Sequence, residues 1–80
     1  MSAIAVDAEL DAAGLRCPLP ILKTRRALAG LQGGQVLRVI TTDPDSVRDF
    51  ESFSQQLGHE LLEARQEADR FHFLLRKRAD

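Results

Sequence analysis

One stretch of the sequence, GLRCPLP at positions 14–20, contains the residues best suited to chemistry. It places Cys17, the single cysteine of the chain, between Arg16 and Pro18. A thiolate is a nucleophile, and both a helix N-terminus and a neighbouring arginine lower the pKa of a thiol. We therefore expect Cys17 to be an exposed nucleophile with a lowered pKa, rather than a small buried hydrophobic residue.

The helix that follows this motif has two possible starts. If Pro18 is the first helical residue, Cys17 is the N-cap and faces the positive end of the helix dipole. Pro20, however, biases Leu19 away from helical geometry, so the helix could begin at Pro20 with Cys17 in the preceding loop. Both starts leave the thiol exposed. Because neither proline has an N–H group, the turn offers too few donors for a phosphate-binding loop.

Length and composition favour one small globular domain over residues 1–80. Hydrophobic residues make up 44% of the chain and charged residues 29%, with a net charge of −1, so no global field favours nucleic acid or a membrane surface. No apolar stretch is long enough for a membrane span and no signal-peptide pattern is present, so we expect a cytoplasmic protein. One cysteine and two distant histidines, His59 and His72, predict no disulfide, metal site or cofactor.

The first half of the chain has the pattern of a strand, a helix and a strand. Residues 4–11 alternate apolar and acidic side chains, which is typical of a half-buried strand. A helix is predicted after Gly14, ending at the glycine pair 33–34, with apolar positions at helical spacing. Residues 35–42 are short and β-branched, which predicts a second strand reached by a right-handed parallel crossover.

The second half predicts a helix followed by a hairpin. Asp43 is a suitable N-cap and Pro44 a suitable first helical residue, and Gly58 would end the helix. Its apolar stripe is Val47, Phe50, Phe53 and Leu57. Residues 59–66 and 70–77 read as strands joined by a turn at 67–69.

This βαβαββ order predicts an α/β chain, more specifically an α+β two-layer sandwich. A four-stranded mixed sheet would carry both helices on one face and leave the other face to solvent. Charged side chains would share the open face: Asp7, Glu9, Asp11, Arg38, Arg65 and Arg76. We interpret them as a solvated face with weak cross-strand pairs.

The motif also resembles a known family. LDAAGLRCPLP at positions 10–20 is similar to the signature of the TusA/SirA-like sulfur-carrier family, in which Cys-Pro-x-Pro opens the first helix. The resemblance continues through TTDPDSVRDF at 41–50 and GHEL at 58–61, and it covers almost the whole chain. It implies a carrier that holds sulfane sulfur as a persulfide on Cys17, rather than a stand-alone enzyme. Gly14, Arg16, Pro18 and Pro20 would be the supporting residues of the motif.

The resemblance also implies the kinds of partner. The donor would be a cysteine desulfurase or a rhodanese-like enzyme, and the acceptor a second protein in tRNA thiolation, cofactor sulfuration or sulfur oxidation. We expect a monomer without direct nucleic-acid or membrane binding. Lys23, Arg25 and Arg26 could form a basic docking face near Cys17, although a plain solvated helix face explains them equally well. The alternative function is a noncatalytic binding or redox-regulatory module with Cys17 as a thiol sensor.

The remaining charged residues have structural interpretations. Asp43, Asp45, Asp49 and Glu51 lie near the start of the second helix, where carboxylates favour the helix dipole. The basic run at 76–78 is interpreted as a solubilising terminus rather than an RNA contact. We expect the histidines to be surface strand residues and propose no Cys-His dyad.

Overall fold

The computed structural model describes residues 4–79; residues 1–3 and 80, which belong to the predicted domain, lie outside the described residues. The strands are β1 (Ala8–Ala12), β2 (Val36–Thr41), β3 (Glu60–Glu67) and β4 (Arg70–Arg76), and the helices are α1 (Leu19–Ala29) and α2 (Ser46–Leu57). The predicted βαβαββ order is therefore confirmed. Neither helix is long and apolar enough to cross a membrane.

The four strands form one mixed sheet in the order β1-β2-β4-β3, which the sequence left open. β1 and β2 are parallel, as a crossover through α1 requires, whereas β4 pairs antiparallel with both β2 and β3. The register shifts between Leu61 and Glu63, which marks a β-bulge in β3. Because β1 and β2 are parallel neighbours, the loops that follow them leave the same edge of the sheet.

The hydrophobic core lies between the sheet and the two helices. Phe50 of α2 stacks on Phe73 of β4, with ring centroids 4.4 Å apart and an interplanar angle of 7°. Leu28 of α1 belongs to the same buried cluster, together with Leu37 and Val39 of β2. Both helices therefore cover one face of the sheet, as predicted. Truncating a fully buried phenylalanine such as Phe50 typically costs about 3–5 kcal/mol.

Exposed ion pairs cover much of the other face. Glu9 and Arg38 lie on neighbouring strands, 3.7 Å apart, and Arg76 pairs with Glu60 at 3.1 Å. Arg65 pairs with acidic neighbours on its own strand. Pairs of this kind typically contribute about 0–1 kcal/mol each. This face has the charged character predicted from the sequence.

Two residues change the details of that prediction. Asp7 precedes β1, and its carboxylate accepts the N–H of Val36 at 2.8 Å, so it fastens the start of β2. Leu74 pairs in register with Arg38 on the charged face, yet only 2% of it is exposed. The open face is therefore partly apolar at its centre.

The predicted start of β1 at residue 4 is wrong. The strand begins at Ala8, which pairs with Leu37, and the described residues before it have no strand assignment. β2 begins only at Val36, and its pairing with β1 starts at Ala8 and Leu37, so the paired part of β1 does not include residues 4–6. The bounds of β2, β3 and β4 lie within one residue of those predicted.

The predicted end of the first helix is also wrong. Gly30 is the C-cap of α1, four residues before the end of the predicted glycine pair. Its N–H donates to the carbonyl of Ala27 at 3.2 Å, and the N–H of Leu31 donates to the carbonyl of Leu28 at 3.0 Å. Gly33 instead allows a close approach of the chain terminus: a Cβ there would lie 2.9 Å from the Cα of Ala79. Gly34 adopts a positive φ of 89° in the same turn, where glycine is favoured.

The basic run at 76–78 does more than solubilise the terminus. Lys77 Nζ donates to the carbonyl of Leu31 at 2.6 Å, just beyond α1. Arg78 Nη1 donates to the carbonyl of Leu57 at 3.1 Å, the last residue of α2. Cations at helix C-termini satisfy free carbonyls and interact favourably with the dipole. These two side chains therefore link the segment after β4 to the C-terminal ends of both helices.

α2 starts later than predicted. Asp45, not Asp43, is the N-cap, and Ser46 is the first helical residue. Val47 is 37% exposed, whereas Ser46 is buried. Phe50 is fully buried, so this side of α2 faces the sheet. Val47 lies about 60° around the helix axis from Phe50, at the margin of the buried stripe. The predicted ending at Gly58 is confirmed, with a left-handed φ of 77°.

Candidate functional site

Cys17 lies in the loop between β1 and α1, and it is exposed. α1 begins at Leu19 with Pro18 as its N-cap, so neither predicted start is correct. Pro20 occupies the first turn, where a missing N–H leaves no helical hydrogen bond unmade. The N–H of Leu19 donates to the carbonyl of Arg16 at 2.8 Å, which folds the chain tightly around the cysteine.

The loop after β2 holds the cysteine loop in place. Asp43 Oδ2 accepts the backbone N–H of Cys17 at 2.7 Å, and its Oδ1 accepts the N–H of Asp45 at 3.0 Å. Beside them, Thr42 Oγ1 accepts the N–H of Gly14 at 2.8 Å. The contacts follow from the sheet, because parallel strands deliver their following loops to one edge. Gly14 therefore contacts the loop after β2, and it adopts a positive φ of 83°.

Three carboxylates surround the thiol. A hydrogen bond to Asp49, assisted by desolvation and by repulsion from the charges of Asp49, Asp43 and Asp45, raises the pKa of the Cys17 thiol. The sequence-based prediction of a lowered pKa is therefore wrong. Cys17 is not part of the helix, and the start of α2 supplies more charge to the sulfur than Arg16 does.

Arg16 acts on a different group. The pKa of Asp43 is lowered by the N–H groups of Asp45 and Cys17, and Arg16 contributes a further attraction. Asp43 is thus held ionised by three partners. Arg16 therefore helps to stabilise the carboxylate that holds the cysteine loop.

Cys17 also lines a groove between the two helices. The groove is lined on one side by Cys17, Pro18, Ile21, Leu22 and Arg25, and on the other by Asp49, Ser52, Phe53, Gln56 and Leu57. Most of these side chains are apolar, with Asp49 beside the cysteine and Arg25 farther along α1. On its other side, Cys17 borders a polar hollow formed by the loops after β1 and β2. Cys17 therefore lies between a mostly apolar groove and a polar hollow.

The structure separates the three predicted docking residues. Arg25 lines the groove with Cys17, whereas Lys23 and Arg26 are exposed and lie outside its lining. Leu19 and Leu22 are 46% and 53% exposed on the same helix, which is unusual for large apolar side chains so close to a candidate site. Neither leucine was predicted to be a site residue, although both lie within five residues of Cys17.

The histidines lie away from the cysteine. His72 pairs in register with Ile40 and Arg65 on the sheet, and His59 Nδ1 accepts the N–H of Arg78 at 3.1 Å. Neither lines the groove or the hollow at Cys17. Across residues 4–79, no group of three or more cysteine, histidine or acidic side chains is arranged to hold a metal ion.

Comparisons with known proteins agree with the motif. The family model described as Sulfurtransferase TusA matches residues 8–77. The chain is similar to the "Sulfur carrier protein TusA" of Allochromatium vinosum, with 55% identity over 71 residues that cover 89% of this chain and 93% of that protein. It is 45% identical over 74 residues to the protein of the same name from Pseudomonas putida strain GB-1, which covers 92% of each.

A solved structure has the same fold. The crystal structure of a SirA-like protein from Desulfitobacterium hafniense superposes with a TM-score of 0.79 and 22% identity, covering 90% of this chain and 99% of that one. At this identity the likeness concerns the fold alone, whereas the family match spans both loops of the site and all six described elements. The chain belongs to the sulfurtransferase TusA family.

Proposed function

We propose that this protein is a sulfur carrier that accepts sulfane sulfur as a persulfide on Cys17 and passes it to an acceptor protein. The observation that carries the proposal is the placement of a single exposed cysteine, beside a groove, in a chain whose relatives are named sulfur carrier proteins. The catalytic residue is Cys17. Gly14, Arg16, Pro18 and Pro20 support it by shaping the loop and the first turn of α1.

The cysteine count suits a carrier. A persulfide is discharged when another thiolate attacks it, so a second thiol in the same chain would remove the sulfur before delivery. This sequence has one cysteine among 80 residues, and it therefore has no internal thiol to do so. Sulfur on Cys17 would persist until a partner's thiol reaches it.

Partner proteins supply the two ends of the relay. A cysteine desulfurase or a rhodanese-like enzyme is the proposed donor, and a protein of tRNA thiolation, cofactor sulfuration or sulfur oxidation is the proposed acceptor. Exposed Leu19 and Leu22 give such partners an apolar contact next to the sulfur, and Arg25 adds a positive charge. The protein would act in the cytoplasm as a monomeric single domain.

A thiol-sensor function has less support. Sensor cysteines are oxidised readily because they are exposed and carry a low pKa. Cys17 is exposed, but the carboxylates around it raise its pKa, so less thiolate is available to an oxidant at neutral pH. The same surroundings suit a thiol that reacts only when a partner is bound.

The proposal is tested by intact-mass measurement. Protein incubated with a cysteine desulfurase and cysteine should gain the mass of one sulfur atom, and a reductant should remove it. The Cys17→Ser variant should gain none while keeping the wild-type circular dichroism spectrum, since Cys17 is exposed. If neither a desulfurase nor a rhodanese-like donor adds sulfur to the wild-type protein, the carrier function is wrong.

A further inference from the structure

The groove beside Cys17 has a direction that the sheet sets. β1 and β2 are parallel, and β4 is antiparallel to both β2 and β3, so β1, β2 and β3 run the same way. The helices that connect these strands therefore run back side by side, and both start at the edge that holds Cys17. Asp49 lines the groove near the start of α2, and Leu57 lines it at the end of that helix. The two positions are about 12 Å apart along the helix axis.

The end of the groove at Cys17 is acidic. Three carboxylates border the cysteine: Asp49 in the groove, and Asp43 and Asp45 in the polar hollow on its other side. Arg16 also lines the hollow, and Arg48 lies 4.0 Å from Asp45, where both side chains are largely exposed. The charges of all three carboxylates nevertheless act at Cys17 and disfavour its thiolate. A positive charge placed at this end is therefore favoured.

The opposite end of the groove is basic. Arg25 lines the groove on α1 and is exposed. A second hollow continues from Arg25 and Leu57 past the ends of both helices, and its charged side chains are Arg25, Lys77 and Arg78. Lys77 and Arg78 each donate to a helix carbonyl, and both remain cationic in doing so. A negative charge placed at this end is therefore favoured.

Apolar side chains line the groove between its charged ends. Ile21 and Leu22 contribute from α1, and Phe53 and Leu57 from α2. Leu22 is 53% exposed, so a partner that covers it removes apolar surface from water. The groove therefore offers an apolar strip with an acidic end at the reactive cysteine and a basic end about 12 Å away.

We propose, on the basis of the carrier function above, that this groove binds the cysteine-bearing segment of a partner protein in one direction. A basic residue of the partner lies next to its reactive cysteine at the acidic end, apolar residues cover Leu22, and an acidic residue lies near Arg25. Opposite charges at the two ends of an interface fix its register and reject the reversed arrangement. The direction brings the partner's sulfur to Cys17.

Docking in this direction also activates the thiol. The charges of Asp43, Asp45 and Asp49 disfavour the Cys17 thiolate in the protein alone. A partner cation beside them would offset those charges, so the pKa of the Cys17 thiol should fall in the complex. Cys17 would then remain mostly protonated between encounters and become nucleophilic when the correct segment is bound.

Two synthetic peptides of equal composition test the direction. The forward peptide has lysine before its cysteine, then three apolar residues and a glutamate, and the reversed peptide has the lysine and glutamate exchanged. Four extended residues span about 13 Å, which matches the groove. Each peptide cysteine carries a thiopyridyl disulfide. The Cys17 thiolate attacks the peptide sulfur, the bond to the thiopyridyl sulfur breaks, and pyridinethione leaves with the electron pair and is measured by its absorbance.

The forward peptide should react faster with the protein. Each rate is divided by the rate of the same peptide with mercaptoethanol, which removes differences in the reactivity of the peptides themselves. We expect the forward peptide to be favoured by about three- to tenfold at low salt, and added salt should reduce the preference. Equal rates, or a faster reversed peptide, would overturn the inference.

Matched variants identify the two ends. Arg25→Glu should reduce the preference for the forward peptide, and combining it with Asp49→Lys should invert the preference. Lys23→Glu changes an exposed charge on α1 outside the groove lining and should keep the wild-type preference. Circular dichroism checks that each variant is folded. Should the double variant not fold, Arg25→Glu alone decides, because Arg25 is exposed. A preference that Arg25→Glu leaves unchanged would contradict the proposed basic end.

The peptide reaction needs no sulfane sulfur, so it separates this inference from the carrier function. A protein that gains one sulfur from a desulfurase but reacts equally with both peptides is a carrier without a directional groove. If the wild-type protein gains no sulfur from a desulfurase or a rhodanese-like donor, the carrier function fails, and the inference that rests on it fails as well.

Discussion

Asp43 Oδ2 lies 2.7 Å from the backbone nitrogen of Cys17, although the two residues are 26 positions apart in the sequence. The carboxylate belongs to the loop after β2 and the cysteine to the loop after β1, so the contact joins the two loops at one edge of the sheet. Because Asp43 also accepts the N–H of Asp45, a single side chain sets the cysteine relative to the start of α2.

Removing that side chain should loosen the cysteine loop. In Asp43→Ala, two exposed N–H groups lose their charged acceptor, and we expect the free energy of unfolding to fall by about 1–2 kcal/mol. Amide hydrogen exchange at Cys17 should become faster, while exchange at Val39 in the centre of the sheet follows only the change in global stability. Asp43→Asn retains one acceptor oxygen, so its free energy of unfolding and its exchange rate at Cys17 should lie between those of the wild-type protein and Asp43→Ala. Unchanged exchange at Cys17 would show that the contact does not hold the loop.

The thiol should titrate above the ordinary range of cysteine. Its raised pKa, caused first by the hydrogen bond to Asp49, leaves it protonated as the pH passes the free-cysteine value of ~8.5, so alkylation should reach half its maximal rate at a higher pH. The same protein unfolded in urea provides the control, since its cysteine should titrate near the free value. A folded-state midpoint below the unfolded one would contradict the arrangement of carboxylates around Cys17.

The fold was largely predictable because periodicity reports which side of an element is buried. Phe71, Phe73 and Leu75 alternate in the sequence and face the helices in the structure. The failures lie at the ends of elements, where tertiary contacts decide. Gly30 ends α1 ahead of the glycine pair, and β1 starts only where β2 provides a partner.

The site was predictable only in part, because local sequence does not report charges delivered by another loop. The motif indicated Cys17 as the candidate nucleophile, and the structure places it in an exposed loop. Asp43 and Asp49 were interpreted as favourable charges at a helix start, and nothing in their spacing showed that they face the thiol. The parallel pairing of β1 and β2 could have indicated it, since both loops leave one edge.

Gly33 should tolerate no side chain. In Gly33→Ala, the new Cβ would lie 2.9 Å from the Cα of Ala79, so the segment around Ala79 must shift. We expect the free energy of unfolding, measured by thermal or chemical denaturation, to fall by about 1–3 kcal/mol. Gly30→Ala is the matched control. Gly30 has an ordinary helical conformation, and a Cβ there meets its nearest atom at 3.6 Å, so the substitution should be neutral or slightly stabilising. Equal effects at both positions would contradict the packing of the terminus on Gly33.

Arg25 should contribute more to docking than Lys23 does. Arg25 lines the groove with Cys17, so Arg25→Glu should slow sulfur transfer from a protein donor by about two- to tenfold at low salt, and added salt should reduce the difference. Lys23→Glu changes the charge by the same amount outside the groove and should have a smaller effect. Alkylation of Cys17 by a small reagent should stay near the wild-type rate in both. If the two variants transfer sulfur at equal rates, the groove is not the docking surface.

The most direct measurement follows labelled sulfur through Cys17. A desulfurase supplied with ³⁵S-labelled cysteine loads the protein, the donor is removed, and a thiol-bearing acceptor protein is added. We expect one labelled sulfur per chain in the peptide containing Cys17, followed by transfer of that label to the acceptor, with none carried by Cys17→Ser. Label that never enters the Cys17 peptide, or that reaches the acceptor equally well through Cys17→Ser, would contradict a carrier function for Cys17.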